Sequence, residues 1–372
     1  KFSMKIAVNT RFLIKGKMTG LGHFTFELLK QLVVQHPEDE FIFLFDRKID
    51  PDFVFASNIT PVMVFPPARA PFLFYWWFEW AIPSIVKKYK AEVFLSPDNF
   101  MSLSLNIPTV LVIHDLAFEH FPADLSFSNR WYYKHFMPLF ARKAAKIATV
   151  SLATKLDIIG QYNIPSDKIE VVGLGLNEGF ERPEEGIEPE DYFVHIGTIQ
   201  PRKNIVRLLE AFEAYKMKSG NATKLIFIGG KGWKDAPIYE YLNKMQFKED
   251  VIFEGYLTNQ EISEKLQKAI ALLCVSYFEG FGMPVIEAQQ CGCPVICSNI
   301  SSLPEAAGSG ALLVDPYDVA AIADSMALLK NDATLRETLI QRGFENVVKY
   351  SWKLTSKKVW NCLSSVINQT VL

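Results

Sequence analysis

The chain has 372 residues, of which 49% are hydrophobic and 22% charged, and its formal net charge is -2. This length exceeds the usual single core and predicts two domains, while the balanced charge gives no reason to expect a nucleic-acid partner, since nucleic-acid-binding domains are usually strongly basic. No apolar run reaches about 18 residues and the amino terminus lacks the apolar stretch of a signal peptide, so we expect neither a membrane span nor a leader.

The first predicted elements are a strand, a glycine-containing loop and a helix. Residues 4–9 form a short apolar run typical of a buried strand, and a helical pattern of apolar residues begins at Phe24. Gly16, Gly20 and Gly22 stand between them, which predicts a glycine loop at the carboxyl edge of a doubly wound α/β sheet. The glycines do not form the tight GxGxxG register and no acidic residue clearly follows at the spacing of NAD sites, so dinucleotide binding is the weaker interpretation.

Residues 72–80, FLFYWWFEW, are the most aromatic run of the chain. They predict a helix that ends before Pro83 and forms either core or the wall of an acceptor site. Contact with a membrane interface is the alternative, because amphipathic aromatic side chains favour that location. Membrane contact is the weaker interpretation, since no lysine cluster precedes the run, although Lys87 and Lys88 follow it.

Further buried strands are predicted at 41–45, 93–96 and 109–113. The last of them ends in His114-Asp115, at the edge of the sheet where ligands bind in such folds. A histidine in that position is more often functional than one on an exposed helix, so His114 is a candidate site residue.

Strands at 146–151 and 168–175 are predicted to close the first domain. The next residues, 176–190, combine glycines and prolines with acidic side chains, a composition typical of a linker.

A second series of strands, loops and helices begins with a strand at 192–197. Its first loop carries Arg202 and Lys203, which can supply forked and point-charge donors to a diphosphate. A later strand at 251–255 is followed by Tyr256 and Leu257.

The stretch 269–288 carries the strongest functional pattern. An apolar strand at 269–275 leads into a glycine turn and then a helix start, where Pro284 is favoured. The first N–H groups of a helix lack intrahelical partners and the helix dipole adds positive charge, so we expect an anion site here. Its predicted donors are the backbone N–H groups near Phe281, Gly282 and Met283.

Two carboxylates flank that anion site, Glu279 in the loop and Glu287 about one turn into the helix. Because carboxylates repel a phosphate, they are better suited to accept hydrogen bonds from hydroxyl groups on either side of it, such as those of a hexose and a ribose. A nucleoside diphosphate sugar has this arrangement.

Glu279, seven residues and Glu287 resemble the E-x7-E motif of the retaining GT-B glycosyltransferases of the large family-4 group. The surrounding sequence agrees, since EGFGMPVIEA is followed by CGCPVICS and SSLPEAAGSGALLVDP, and GTIQPRKN and VIHDLAFEHFP resemble further family segments. The resemblance implies an α/β protein with the GT-B fold, in which two Rossmann-like doubly wound domains face a cleft. We expect domains at 1–175 and 191–350, a linker at 176–190 and a terminal helix in 351–372 that crosses back to the first domain.

The resemblance also implies roles for individual residues. The diphosphate cations would be Arg202 and Lys203, while Glu279 and His114 would contact the transferred sugar and Glu287 the ribose. Further donor-binding residues would be Gly20, Gly22, Tyr256, Leu257, Phe281, Gly282 and Met283. No metal ligands are expected, since the chain has no DxD motif at a strand end.

We therefore expect a retaining, metal-independent hexosyltransferase that uses a nucleotide sugar as co-substrate, without a bound cofactor, and a glycan or lipid-linked acceptor. The resembling segments favour mannose from GDP-mannose over a UDP-sugar such as UDP-glucose. The alternatives are a nucleotide-sugar epimerase, a pyridoxal-phosphate-containing phosphorylase on a similar scaffold, and a non-enzymatic sensor of nucleotide sugars.

The five cysteines are an odd number and fit a reducing compartment. We interpret them as buried free thiols rather than zinc ligands. The expected location is the cytoplasm, with peripheral contact at the inner face of the membrane as a further option.

Overall fold

The computed structural model describes residues 4–16, 18–68, 71–184 and 186–368, and for Pro71, Phe72 and Asn368 it describes the backbone only. The chain forms two compact units. The first contains the described residues up to His120, Leu125–Gly175 and those from Tyr350 onward, and the second contains Phe121–Asp124 and Leu176–Lys349. The predicted linker residues that the structure describes therefore belong to the second unit. Within the described ranges, each helix is too short or too polar to cross a bilayer.

The first unit is built on a seven-stranded sheet in which all neighbouring strands are parallel. Its strands are β1 (Lys5–Asn9), β2 (Glu40–Phe45), β3 (Ile59–Met63), β4 (Val93–Ser96), β5 (Thr109–Ile113), β6 (Lys146–Thr149) and β7 (Ile169–Val171). The spatial order is β3-β2-β1-β4-β5-β6-β7. Central strands are buried along nearly their whole length, as expected for a parallel sheet covered on both faces.

The helices of the first unit are α1 (Gly20–Gln35), α2 (Pro71–Trp76), α3 (Ile82–Tyr89), α4 (Ala117–His120), α5 (Phe127–Lys143), α6 (Leu152–Tyr162) and α14 (Trp352–Asn368). The last of these, α14, belongs to this unit although it follows the second unit in the chain. Trp352 packs against Phe24, with ring centroids 5.7 Å apart, and Lys358 Nζ donates to the carbonyl oxygen of Val171 at 3.0 Å.

The sequence predicts β4 and β5 with their observed bounds, but β3 was not predicted. Pro61 lies inside β3 and breaks the apolar run. The strand tolerates a proline because it lies at the edge of the sheet and pairs only with β2.

Two local predictions in the first unit are wrong. Gly20 and Gly22 are the first and third residues of α1 rather than parts of a loop, and a Cβ on Gly22 would lie 2.6 Å from the carbonyl oxygen of Phe12. The aromatic helix does not end before Pro83, because a π-helical segment, Trp77–Ala81, leads directly into α3, where the proline occupies the first turn.

The second unit is built on a six-stranded parallel sheet. Its strands are β8 (Tyr192–Ile196), β9 (Lys224–Ile228), β10 (Val251–Gly255), β11 (Ala271–Cys274), β12 (Val295–Ser298) and β13 (Leu312–Val314). Its helices are α7 (Ile205–Ser219), α8 (Ala236–Lys244), α9 (Asn259–Lys268), α10 (Met283–Gln290), α11 (Leu303–Ala307), α12 (Val319–Asn331) and α13 (Ala333–Val347).

The strand order of the second sheet, β10-β9-β8-β11-β12-β13, locates a ligand crevice. From β8 the chain winds outward to β10, and it then crosses to β11 on the other side of β8. Such a reversal leaves a crevice at the carboxyl ends of the two central strands, and ligands of doubly wound folds bind there. We therefore expect a ligand site in the loops that follow β8 and β11. The first sheet has the same reversal between β1 and β4.

Candidate active site

Two loops of the second unit meet at the carboxyl ends of β8 and β11. The backbone N–H of Tyr277 donates to the carbonyl oxygen of Arg202 at 3.0 Å. Asn204, in a left-handed conformation with φ 61°, donates its side-chain amide to the carbonyl oxygens of Val275 at 2.9 Å and Pro316 at 2.7 Å. The loop after β8 is thus fixed to the loop after β11 by hydrogen bonds.

The charged side chains of these loops form one cluster around Glu279. Lys203 Nζ donates to Glu279 Oε1 at 2.6 Å, and Arg202 donates to Glu279 Oε2 at 2.9 Å and also to the carbonyl oxygen of Phe278. The Ser276 hydroxyl donates to Glu279 Oε1 at 2.7 Å. Two cations against one carboxylate leave a net positive charge, as a site for a diphosphate requires.

Glu279 is ionised in this cluster. Burial alone would raise the pKa of its carboxyl group, but Lys203 and Arg202, with the hydrogen bonds from Lys203 and Ser276, outweigh that effect and hold the pKa well below its usual range. A carboxylate stabilised in this way is a weak base. Glu279 can accept hydrogen bonds and hold the two cations in place, but it is poorly suited to remove a proton.

Two serines after β12 fix the backbone of the Glu279 loop. Ser301 Oγ accepts the backbone N–H of Glu279 at 3.1 Å and lies 2.7 Å from its carbonyl oxygen. Ser302 Oγ lies 2.8 Å from the carbonyl oxygens of both Glu279 and Phe281. These contacts give the Ser301–Ser302 segment a structural role.

The glycine turn ends at the start of α10, as predicted. Phe281 is buried, and Met283 is the first residue of the helix. Gly282 precedes it with φ 110°, and a Cβ at this position would lie 2.7 Å from a methyl carbon of Leu303. A glycine is therefore needed both for its backbone conformation and for the close packing of α11 against the turn.

Glu287 lies one turn into α10 and is 7% exposed. Burial raises the pKa of its carboxyl group to about 7, against a smaller lowering by the hydrogen bond from Asn177 Nδ2, which lies 3.1 Å from Glu287 Oε1. Asn177 Oδ1 is buried without a partner among the described residues. Near neutral pH the Glu287 carboxyl group therefore populates both protonation states and can accept or donate a hydrogen bond.

His195 lies in β8, inside the strand predicted at 192–197, and belongs to the site as well. Its Nδ1–H donates to the carbonyl oxygen of Leu273 at 2.8 Å, which leaves the buried Nε2 as an acceptor without a partner among the described residues. Burial lowers the pKa of the imidazole to about 4. A Cβ placed on Gly197 would lie 3.4 Å from Lys203 Nζ and 3.6 Å from His195 Nε2, so both groups border this glycine.

Two of the predicted donor-binding residues, Tyr256 and Leu257, contact parts of the second unit other than the charged cluster. Tyr256 is 81% exposed, and its ring covers Gly230, where a Cβ would come within 2.3 Å of the ring. Leu257 lines a surface cavity of about 360 Å³ with Glu190, Tyr192 and residues of α9. Tyr256 thus presents a free ring face after β10, whereas the Leu257 side chain faces α9.

His114 follows β5 at the carboxyl edge of the first sheet. Its Nε2 donates to the carbonyl oxygen of Pro97 at 2.8 Å, and its backbone N–H donates to Asn99 Oδ1 at 2.8 Å. Phe24 packs edge-on against the imidazole at 4.6 Å. Burial lowers the pKa of this histidine, so the ring is neutral and offers Nδ1 as an acceptor.

A second ion pair occupies the reversal point of the first sheet. Arg11 follows β1 and donates through Nε to Asp98, which follows β4. Its guanidinium lies 4.6 Å from the ring centroid of Phe74 and 4.7 Å from that of Phe100. The pair is almost fully buried, since its side chains are 10% and 2% exposed.

Among the residues that the structure describes, the group of side chains that could bind a metal lies outside this cluster. Ligand atoms of His36, Glu38 and Asp39 approach one another within 4.8 Å. This group follows the carboxyl end of α1, at the opposite end of the helix from Gly20, and Asp39 already accepts the backbone N–H of Met4. The five cysteines are free thiols and all are buried.

Three residues of the site were missed in the sequence: Asn177, His195 and Ser276. Asn177 falls in the segment interpreted as a linker, and only its contact with Glu287 reveals its role. His195 had a usable signal, because a histidine inside an apolar strand of a parallel sheet must find a partner for its polar atoms.

The chain is similar to known proteins over most of its length. Residues 18–179 match the family model Glycosyltransferase Family 4, and residues 177–346 match Glycosyl transferases group 1. The O-antigen chain mannosyltransferase B of Escherichia coli is 28% identical, with 95% of this chain and 96% of that protein covered. The O-antigen chain mannosyltransferase RfbU of Salmonella typhimurium is 29% identical over 56% of this chain and 57% of its own length.

Among solved structures, the sucrose-phosphate synthase of Thermosynechococcus elongatus superposes with a TM-score of 0.78, covering 98% of this chain and 100% of that one. At 16% identity this likeness shows the fold alone. Together with the two family matches, it identifies the chain as a GT-B glycosyltransferase of group 1 with a family-4 amino-terminal domain.

Proposed function

We propose that the chain transfers a hexose from a nucleoside diphosphate sugar to a hydroxyl group of a glycan or lipid-linked acceptor, with retention of anomeric configuration and without a metal ion. Mannose from GDP-mannose is the favoured donor, because the two relatives described above are mannosyltransferases of O-antigen synthesis. The observation that carries the proposal is the cluster of Arg202, Lys203 and Glu279 at the reversal point of the second sheet.

The proposed role of Arg202 and Lys203 is to stabilise the leaving group. Departure of the nucleoside diphosphate places negative charge on the β-phosphate, and both cations are already held in position by Glu279. A preorganised donor of this kind contributes about 3 kcal/mol at the transition state, roughly a hundredfold in rate. The start of α10, four residues after Glu279 in the chain, is proposed to add its dipole to the same stabilisation.

The state of Glu279 supports a mechanism without a carboxylate nucleophile in this cluster. Its charge is shared between two cations and a serine hydroxyl, so its lone pairs are weakly nucleophilic. We propose two other roles for Glu279. It accepts hydrogen bonds from hydroxyl groups of the donor hexose, and it aligns Arg202 and Lys203. Retention then follows from attack on the face from which the leaving group departs.

Glu287 is proposed to bind the ribose hydroxyls of the donor, since its carboxyl group can accept from one hydroxyl and is oriented by Asn177. His114 is proposed to contact the transferred sugar through Nδ1, because its Nε2 is engaged by Pro97. For the remaining predicted donor residues, we retain Gly20, Gly22, Tyr256, Leu257 and the start of α10 as proposals.

We place the protein in the cytoplasm, where nucleotide sugars are available, and include peripheral contact with the inner face of the membrane. The buried free thiols suit a reducing compartment.

The experiment is a transfer assay with GDP-mannose or UDP-glucose, a mannoside acceptor and a chelator, in which the anomeric configuration of the product is read by NMR. We expect transfer from GDP-mannose with an α-linked product. A β-linked product would exclude retention, and activity that requires added magnesium or manganese would exclude the metal-independent mechanism.

A further inference from the structure

The first unit exposes an unusual set of aromatic side chains on two helical segments. On the aromatic helix, Tyr75, Trp76 and Trp80 are 48%, 47% and 56% exposed. On α5, Phe127 is 87% and Trp131 is 58% exposed. Aromatic side chains of this size normally dominate cores and interfaces, so a group of them in solvent requires an explanation.

These rings form one connected surface, which we call the aromatic patch. Trp76 stacks on Trp80 with centroids 4.8 Å apart. Tyr75, the neighbour of Trp76 in the chain, lies 6.2 Å from Phe136, and Phe136 lies 6.2 Å from Trp131. The patch therefore runs from the aromatic helix onto α5.

The residues behind the patch hold it rigidly. Trp77 and Phe78 are buried in the core of the first unit, and the indole N–H of Trp77 donates to the carbonyl oxygen of Val64 at 3.2 Å. Met137 and Phe140 of α5 are buried in the same core. The exposed rings thus lie on the outer face of helices whose inner face is already packed, so they are not displaced core residues.

The exposed charged side chains on the two helical segments that carry the patch are positive. Helix α5 contains no acidic residue and carries Arg130, Lys134, Arg142 and Lys143. Residues 71–89 contain one carboxylate, Glu79, which is buried and accepts from the backbone N–H of Leu103 at 2.7 Å and from the Ser104 hydroxyl at 2.6 Å. These cations stand out in a chain whose formal net charge is -2.

Cations and rings also share one depression of the surface. Phe127, Arg130, Trp131, Lys134 and His135 line a cavity of about 360 Å³ on the outer side of α5. A polar head group that carries negative charge would meet two cations there, while the indoles would lie at the level where lipid head groups give way to acyl chains.

We propose that the aromatic patch, with Arg130 and Lys134, docks the protein on an anionic lipid bilayer. Exposed tryptophans that alternate with cations are suited to the interface of such a membrane, because their rings are apolar and their N–H groups remain near water. A second copy of this chain fits the surface less well, since a symmetric contact would bring the cations of the two copies together. The inference rests on the peripheral membrane contact of the proposed function and identifies the surface and the lipid charge that produce it.

Vesicle flotation tests this inference without any sugar transfer, so it can fail while the transferase function stands. The full chain is mixed with vesicles of phosphatidylglycerol and phosphatidylethanolamine, or with pure phosphatidylcholine. We expect binding to the anionic vesicles that weakens with salt, and at least tenfold weaker binding to phosphatidylcholine, since each cation near an anionic surface adds about fivefold in affinity.

Two variants locate the surface. Arg130→Glu/Lys134→Glu and Trp76→Ala/Trp131→Ala should each lower binding to the anionic vesicles by about tenfold or more. Lys244→Glu/Lys248→Glu makes the same charge change on the second unit and should bind as the wild type does. A nucleotide-induced thermal shift, measured on every variant, checks that the fold is retained.

Three results would overturn the inference. The first is equal binding to anionic and neutral vesicles, or none to either. The second is an equal loss in the Lys244→Glu/Lys248→Glu control, which would indicate a general charge effect. The third is a wild-type dimer in light scattering that the tryptophan variant abolishes while vesicle binding is unchanged, which would assign the patch to a second copy of the chain.

Discussion

Lys203 Nζ and Glu279 Oε1 lie 2.6 Å apart, and the two residues follow the two central strands of the second sheet. Their ion pair is more than 80% buried on both sides, and Arg202 completes it from the neighbouring position of the same loop. The loops are thus held together at the place where a doubly wound sheet binds its ligand. An incoming diphosphate would find its cations already aligned, and it would only have to share them with the carboxylate.

Arg202→Ala should lower turnover by roughly a hundredfold, because it removes one preorganised donor from the developing charge on the leaving group. The donor KM should change much less. Steady-state kinetics with GDP-mannose measures both quantities, and Arg342→Ala, an exposed arginine on α13, is the matched control. A rise in KM with an unchanged kcat would instead indicate a role in ground-state binding.

Glu287→Gln should separate stability from function. The pKa of Glu287 is about 7 in the folded protein, above the ordinary value of 4.5, so the folded state binds more protons than the unfolded state between these values. Stability due to this group therefore falls as the pH rises from 4.5 to 7. Removing the buried charge should raise the unfolding free energy at pH 8 by roughly 2 to 3 kcal/mol.

The same Glu287→Gln variant should bind the donor more weakly, since a carboxylate that accepts from ribose hydroxyls has been replaced by an amide. Chemical unfolding at pH 5 and pH 8 gives the stability change, and Glu337→Gln, on the exposed face of α13, serves as control. Tighter donor binding together with unchanged stability would contradict both assignments.

His195 should produce the opposite pH dependence. Its pKa is lowered from 6.5 to about 4, so the unfolded state binds more protons between these values and stability rises with pH across that window. His195→Phe removes this titration and should flatten the stability profile between pH 4 and pH 6.5. A profile as steep as that of the wild type would show that another group causes the acid sensitivity.

Arg11→Ala should destabilise the first unit by about 3 to 5 kcal/mol, because it leaves the buried Asp98 carboxylate without its partner. Arg11→Met/Asp98→Asn removes both charges and should recover part of that loss. Chemical unfolding of the three proteins measures the difference. If the double variant is instead less stable than Arg11→Ala, the unpaired charge of Asp98 does not explain the loss of stability.

The sequence predicted the architecture well, because the buried strands of parallel sheets are apolar runs with clear ends. β4 and β5 match residue for residue, and the strand before the Glu279 loop was placed within two residues at its amino end. Edge strands were harder to predict from the sequence. They need neither continuous burial nor two hydrogen-bonded neighbours, so their apolar run can be interrupted, as it is by Pro61 in β3.

The contacts of the site were less predictable than its residues. The E-x7-E spacing singled out Glu279 and Glu287, but it could not show that Glu279 pairs with Lys203 or that Asn177 orients Glu287. Those contacts join residues that are 76 and 110 positions apart in the chain. Local pattern carries no information about such pairs, although the order of β8 and β11 in the sheet accounts for the proximity of the Lys203 and Glu279 loops.

The central claim is that Arg202 and Lys203 bind the diphosphate of a nucleotide sugar, and a metal-free thermal-shift panel of GDP, UDP, ADP and their sugars tests it most directly. We expect a large upward shift with GDP and GDP-mannose in the wild type and in Lys244→Met, and a much smaller one in Lys203→Met, because binding to the native state alone raises the melting temperature. Equal shifts in Lys203→Met and the wild type, or no shift with any nucleotide, would contradict the assignment of this cluster as the donor site.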